Sequence, residues 1–432
     1  MIWNQEYETL TRDDTAQLQL ERLQSTIRRV YRSVAFYHKV FNDLGFVPGD
    51  LRDREDLGRL PFTTKNHLRE NYPYDMFAVP LREVVRLHTS SGTTGRPTVV
   101  GYTANDIAVW TELVARAMTA AGISRDDVVQ IAFDYGLMTA AFGLHFGAER
   151  VGASVIPMST ADDDRQLTIM QDYRTTALVS TPSMAAHLGE HLAERGLPLA
   201  TFSLRVGLFG TEPWSEERRR FIEEHLRITA LDIYGLSEII GPGVAGECLV
   251  KNGLHLWEDH FIPEIIDPAS GRVLGEGEEG ELVITTLTKE AFPLLRYRTG
   301  DLTRLWYEEC PCGRRTVKMG RVARRTDDLI IVRGVAVAPL QVEELLAGVE
   351  GTQPRFRLVA DTAEGLDYLE VRVEARPEIF FDEMRRQRSL IEEITRRIRE
   401  KLDLEVQVKL VEPRTMSEEM ATRPRVEDRR SR

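Results

Sequence analysis

Apolar positions recur every three to four residues through much of the first sixty. In TAQLQLERLQSTIRRVYRSVAFYHKVF they fall on one face, so the spacing predicts helix. From about residue 84 to 235 the pattern changes. Short β-branched runs (VVRLHTS, VVQIAFDY, ASVIPM, TALVST, LRVGLFG and ALDIYG) read as buried strands, and amphipathic stretches such as NDIAVWTELVARAMTAAG and ERRRFIEEHLR read as the helices between them. That alternation predicts an α/β domain around a largely parallel sheet. From about 255 to 325, Gly-rich punctuation beside strand-like alternation, as in GRVLGEGEEGELVITTL, predicts a smaller β subdomain. From about 328 the order strand, helix, strand, helix, strand (LIIVRGVAVAP, LQVEELLAGVE, YLEVRVEA, IEEITRRIREKL, VQVKLVEP) predicts a compact α+β domain. The expected architecture is α/β: a large N-terminal domain, residues 1–326, with parallel sheets flanked by helices and a β subdomain, then a small α+β C-terminal domain, 327–432.

Composition narrows the class. The chain has 432 residues, of which 42% are hydrophobic and 29% charged, which fits a folded core and excludes a mainly disordered chain. No run approaches the roughly 18 apolar residues of a membrane span. The start, MIWNQEYETLTRDD, lacks a basic segment followed by an apolar one, so a cytoplasmic location without a membrane partner is expected. A formal charge of −12 argues against nucleic-acid binding by bulk charge, and the Arg-rich residues Thr422 to Arg432 read as a solvated tail. Seven lysines stand against 49 arginines, and the two are not equivalent at a reaction centre. Three cysteines, an odd number, argue against a disulfide framework and for metal ligation or plain burial.

Thr89-Ser90-Ser91-Gly92-Thr93-Thr94-Gly95-Arg96-Pro97 follows the VVRLH run and gathers hydroxyls, glycines and one cation. Successive backbone N–H groups in such a turn form a concave anion site, and Arg96 adds a fixed charge, so polyphosphate is the natural ligand. The segment does not meet the G-x-x-x-x-G-K-[ST] pattern.

This loop resembles the nucleotide loop of the AMP-forming acyl-CoA synthetase superfamily, and its continuation TVVGYT resembles the phenylacetate–CoA ligase branch. Later segments agree in order. Phe209-Gly210-Thr211-Glu212-Pro213-Trp214 resembles the adenine-side loop, and Tyr234-Gly235-Leu236-Ser237-Glu238 resembles Y-G-x-[ST]-E. Tyr297 to Leu302 resembles Y-R-T-G-D, and Asp327-Asp328 followed by Gly334 to Pro339 resembles the hinge segment. The resemblance implies that Asp232, Tyr234, Gly235 and Ser237 face the nucleotide, that Glu238 holds Mg²⁺, that Asp301 grips the ribose hydroxyls with Arg325 beside it, and that the small domain pivots at Asp327 and Asp328. The implied reaction joins a carboxylic acid to ATP as acyl-AMP, with loss of pyrophosphate, and then transfers the acyl group to coenzyme A. Tyr135, Met138, Ala141, Ile239 and Pro242 would form an apolar slot for a small-molecule aromatic acid. Dimers are common in similar proteins, which makes a homodimer compatible with the resemblance.

Three departures stand out. The family's C-terminal lysine, which reaches the α-phosphate, has no counterpart: alignment on Val426 and Asp428-Arg429-Arg430 puts Thr422 there, and a slip of one puts Arg423. The glycine-arginine pair before the hinge reads Arg324-Arg325, and the hinge-region asparagine is Ala336. Adenylation is thus slowed, rescued by Arg423, or lost. Two alternatives to a CoA ligase stay open: activation for an amine or carrier-protein acceptor, and an adenylate-binding protein with impaired catalysis. Separately, all three cysteines fall in two segments, Cys248 with His255 and Cys310-Pro311-Cys312. Three thiolates and one imidazole make a closed tetrahedral set suited to structural zinc, with His260 a rival fourth ligand.

Overall fold

Strand-forming residues here are β-branched runs too apolar to face water on either side, and they stack into a sheet covered on both faces. The computed structural model describes residues 1–90, 97–137, 139–211, 214, 216–322, 324–326, 330–337, 339–349, 351–363, 366–376, 379, 384–412, 416 and 426–430. Among these, nine strands form the main sheet. Ser154–Ile156, Val128–Ile131, Ala177–Ser180, Val206–Gly210 and Thr229–Leu236 pair in parallel. Gly241–Glu247, Leu254–Leu256, Lys318–Met319 and Leu305–Trp306 then continue the sheet antiparallel.

The region expected as a separate β subdomain therefore divides. Three of its short strands extend the main sheet. The others, Phe261–Ile266, Gly280–Thr286 and Tyr297–Thr303 with Arg324–Arg325, form their own antiparallel sheet. The VVRLHTS run also departs from expectation: among the described residues Arg86–Thr89 pairs only with Val99–Tyr102, as a two-stranded antiparallel sheet. With Leu87 exposed, this strand presents one face to water, which a central parallel strand does not. The N-terminal helical run is two helices, Arg12–Ser33 and Ala35–Leu44. They break at Val34, whose buried side chain is drawn into the core by an extended backbone.

Helices Ala104–Ala120 and Ala140–Val151 cross at close range because glycines lie between them. A Cβ on Gly143 would fall 2.3 Å from the Trp110 ring, and one on Gly147 2.2 Å from Val114. The C-terminal unit has its own core, including Ile330, Phe356, Leu358, Val371 and Ile398. Its sheet runs Val406–Val411, Leu366–Ala375, Thr352–Ala363, Val426–Asp428, with an antiparallel central pair and parallel outer pairs. Two of these strands were not anticipated. Thr352–Ala363 carries Pro354 inside a register shift, and Val426–Asp428 lies in the segment read as a solvated tail but pairs with Leu358–Ala360. Helix Met384–Leu402 covers this sheet, burying Ile394 and Ile398.

Candidate active site

The strand ends of the main sheet open onto one cleft. Val206–Gly210 stops at Gly210, where a Cβ would sit 2.4 Å from the Ile233 carbonyl oxygen, and the chain turns through Thr211 with φ +70. In the next strand the register shifts between Tyr234 and Gly235, and Gly235 approaches the Gly241 carbonyl too closely for any side chain. The Tyr234 hydroxyl then donates to Asp301 Oδ2 at 2.6 Å. Strand pairing sets Arg325 opposite Asp301; its guanidinium bonds the Asp301 carboxylate and the Thr299 carbonyl. Burial, and then Asp301, push the Tyr234 phenol well above its usual range, so it stays a donor. Thr211, Asp232, Gly235, Asp301 and Arg325 line one cavity together with Ile331 from the C-terminal unit.

Asp232 lies on the same wall. Burial, and then the neighbouring Glu247 carboxylate, raise its pKa to about 7 against the pull of Arg321 and Arg219. Arg321 sits 3.4 Å from Asp232, bonds Glu216 and the Trp214 carbonyl, and stacks over the Trp214 ring at 4.5 Å. Arg219 lies 5.0 Å from the centre of the same ring. Neither arginine carries a local sequence signal, because their partners are brought in from other strands and loops.

On the other side, Ser90 and Thr98 pinch the base of the Gly/Ser/Thr loop: Ser90 N–H donates to the Thr98 carbonyl at 3.0 Å, and Thr98 N–H to Ser90 Oγ at 3.2 Å. Ser91, Gly92, Thr93, Thr94, Gly95 and Arg96 lie outside the described residues, as do Met138, Glu212, Pro213, Asp327, Asp328, Thr422 and Arg423. Ser237 Oγ is 2.9 Å from Thr139 Oγ1. Glu238 is buried and has no ion-pair partner among the described residues. The turn that bears it is fixed by a stacked aromatic pair. Tyr102 donates to the Ile240 carbonyl at 3.0 Å and Trp110 to the Pro242 carbonyl at 2.9 Å, their rings 5.0 Å apart. Lys289 caps that pair, its amine 3.3 Å from the Tyr102 ring centre and without a hydrogen-bond partner among the described residues. Burial lowers its pKa to about 7. A lysine inside the apolar stretch TTLTKEAFPLL was a readable signal that sequence reasoning missed. Of the slot residues, Tyr135 is half-buried, with its hydroxyl 3.1 Å from His145 Nδ1, whereas Ala141 and Ile239 are wholly enclosed in the main core. Pro242 is buried as well.

The C-terminal unit reaches this cleft through the hairpin Ile330–Val332/Val335–Val337. At its tip Gly334 has φ +80, and a Cβ there would lie 3.5 Å from Thr181 and 3.9 Å from Thr211.

Away from the cleft, Cys248, His255, Cys310 and Cys312 bring one ligand atom each to within 4.8 Å of one another. Cys248 and Cys310 sulfurs are 3.7 Å apart, and Cys312 Sγ is 3.4 Å from His255 Nε2. A tetrahedron with metal–sulfur bonds of about 2.3 Å has edges near 3.8 Å. His255 Nδ1 is engaged by Thr316 at 3.0 Å, which leaves Nε2 for a metal. His260 points elsewhere, to Thr288 and Asp259.

Residues 42–288 match the AMP-binding enzyme family and residues 334–430 match the AMP-binding enzyme C-terminal domain, so the fold and cleft are those of an AMP-binding enzyme. The chain is 45% identical over 426 residues to a phenylacetate-coenzyme A ligase of Thermus thermophilus, covering 96% of each protein. It is 49% identical over 372 residues to one of Escherichia coli, covering 85% of this chain and 84% of that protein. It belongs to the phenylacetate–coenzyme A ligase family. Among solved structures it resembles 2-hydroxyisobutyryl-CoA ligase with 2-HIB-AMP and CoA in the thioesterification state, at TM-score 0.92 and 28% identity over 99% of this chain and 92% of that one. Against the same enzyme in the postadenylation state, with the same coverage and 27% identity, the TM-score is 0.73.

Proposed function

We propose that this protein is an ATP-dependent, AMP-forming ligase that activates an aromatic carboxylic acid and transfers it to coenzyme A. The observation that carries the reading is the cleft itself: three separated segments deliver Thr211, Asp232 with Tyr234, and Asp301 to one wall, and a hairpin of the C-terminal unit lines it from the other unit. A carboxylate attacks the α-phosphorus of ATP and pyrophosphate leaves; the CoA thiol then attacks the acyl carbon and AMP leaves. Such chemistry asks mainly for positioning and charge neutralisation. Asp301, held by Tyr234 and Arg325, presents its carboxylate to the ribose hydroxyls, and Asp232 faces the adenine amino group. The Ser90–Gly95 loop and Arg96 take the β- and γ-phosphates, and Arg423 stands in for the absent lysine at the α-phosphate.

Glu238, buried without a cationic partner among the described residues, suits Mg²⁺, which when bound offsets phosphate charge. The acid lies against the Tyr135 ring with Met138 and Pro242, and the fully enclosed Ala141 and Ile239 support that wall from the core instead of touching the ligand. We place the boundary between the two units at 326/327, with Asp327 and Asp328 as the pivot. The three thiols and His255 hold a structural zinc, because the set is closed and leaves no ligand position for substrate. No described helix is long and apolar enough to cross a membrane, and we assign the enzyme to the cytoplasm, where ATP and coenzyme A are available.

The test is pyrophosphate exchange and AMP release over a panel of aryl acids, with and without CoA. Acid-dependent exchange and CoA-dependent thioester are expected. Hydroxamate formation with CoA never consumed would move the reading to another acceptor, and ATP binding without exchange would move it to a catalytically impaired binder.

A further inference from the structure

The two units meet at a largely buried charge cluster whose residues do not line the cleft. Arg218 lies in the helix Glu216–Leu226, directly after the adenine-side loop. Its Nη2 donates to Asp367 Oδ1 at 2.9 Å and to Thr362 Oγ1 at 3.3 Å, in the adjoining Leu366–Ala375 and Thr352–Ala363 strands of the C-terminal sheet. The other oxygen, Asp367 Oδ2, accepts from Arg430 Nη1 at 2.9 Å. The same Arg430 nitrogen donates to the Ile331 carbonyl at 2.7 Å, and Ile331 lines the cleft. The side chains of Arg218, Asp367 and Arg430 are 15%, 7% and 7% exposed.

We propose that Asp367 is a clasp between the units, and that Arg218 is a positioning residue for acyl transfer to CoA rather than for adenylation. This rests on the two-step reading above. Each oxygen of Asp367 takes a guanidinium from a different unit, so relative movement of the units has to separate Arg218 from it. A buried ion pair that loses one partner is normally destabilised by the charge left behind. Here Asp367 keeps Arg430 and the Thr362 hydroxyl, which donates to it at 2.8 Å, and Arg218 returns to water. The clasp can therefore open without leaving an unpaired buried acid, and closing it adds a desolvated pair that favours one arrangement over others. That arrangement is the one matched by the thioester-forming relative. Arg430 and the Ile331 carbonyl also tie Asp367 to the hairpin that lines the cleft, so closing the clasp joins that hairpin to Arg218 of the other unit.

The experiment uses the full chain with Arg218→Gln and Arg218→Lys. Pyrophosphate exchange reads the first half-reaction, rapid-quench transfer from preformed acyl-AMP to CoA reads the second, and hydrogen exchange reads the Leu366–Ala375 strand and the facing helix Pro182–Glu194. For Arg218→Gln, exchange is expected to stay unchanged or rise, transfer to fall about tenfold, and protection at both segments to drop, with Arg218→Lys recovering part of each. Unchanged transfer with unchanged protection overturns the proposal. So does an equal fall in both half-reactions with a lower Tm, which marks a merely structural residue. A wild-type enzyme without exchange defeats the two-step reading instead, and the protection of the two segments still decides whether the clasp exists.

Discussion

The two walls of the cleft are built by different rules. On the N-terminal wall the acidic groups sit on sheet strands: Asp301 opposite Arg325, Tyr234 bonded to Asp301 beside a register shift, and Asp232 on the same strand as Tyr234, backed from outside the sheet by Arg321 and Arg219. On the C-terminal wall the contact is a short hairpin, Ile331 and Gly334, held across the junction by Arg218 and Asp367. The difference separates two jobs. On the proposed reading, affinity for the nucleotide belongs to the wall built into a sheet, and the choice between half-reactions to the wall carried by the other unit.

The sharpest way to break this comparison is Asp301→Ala. If the rigid wall carries the nucleotide, AMP formation at fixed ATP falls about 10²- to 10³-fold; a loss of only a few-fold in steady-state assays would hand that role to the other wall. Next is the thiol cluster. If the cluster holds zinc, Cys312→Ser should abolish that binding and lower thermal stability by several kcal/mol, read by metal analysis and calorimetry, while kcat/KM for the acid in protein that remains folded changes little.

A smaller effect tests Asp232. Its carboxyl is raised to about 7, so it is ionised above that pH and neutral below. KM for ATP should rise roughly three- to fivefold as pH falls from 8 to 6, and Asp232→Asn should flatten that dependence. The smallest concerns Lys289, a base whose pKa is lowered to about 7. Between there and its unfolded value the unfolded chain binds more protons, so stability contributed at this position rises with pH. The penalty is full below pH 7 and gone above about 10.5. Lys289→Met should therefore raise Tm by about 2–4 °C at pH 7, and by nothing near pH 10.5.

Much of the rigid wall was legible in the sequence because its residues sit in short contiguous motifs: Gly210 and Thr211 at one strand end, Tyr234 and Gly235 in the next, Asp301 inside Y-R-T-G-D. The four metal-type ligands were readable for a different reason, since all three cysteines fall in two short segments. The junction was not legible. Arg218 and Asp367 are 149 residues apart and each looks like an ordinary surface charge in its own segment. Arg321 likewise acquires its role only when Trp214 and Asp232 are brought to it. The strand Thr352–Ala363 hid behind Pro354, and Val426–Asp428 behind the composition of a tail, because pairing partners rather than local propensity made them strands.

Trp110 carries a consequence for redesign. Its indole fills the volume that a side chain on Gly143 or Gly241 would enter, at 2.3 and 2.5 Å. It is also tethered to the Pro242 carbonyl, beside the turn that bears Glu238. Enlarging either glycine to reshape specificity would therefore push on the turn that bears Glu238 before it touched a new substrate. Variants that accept bulkier acids should instead arise from the Tyr135 side, where a ring can be trimmed without moving a carboxylate.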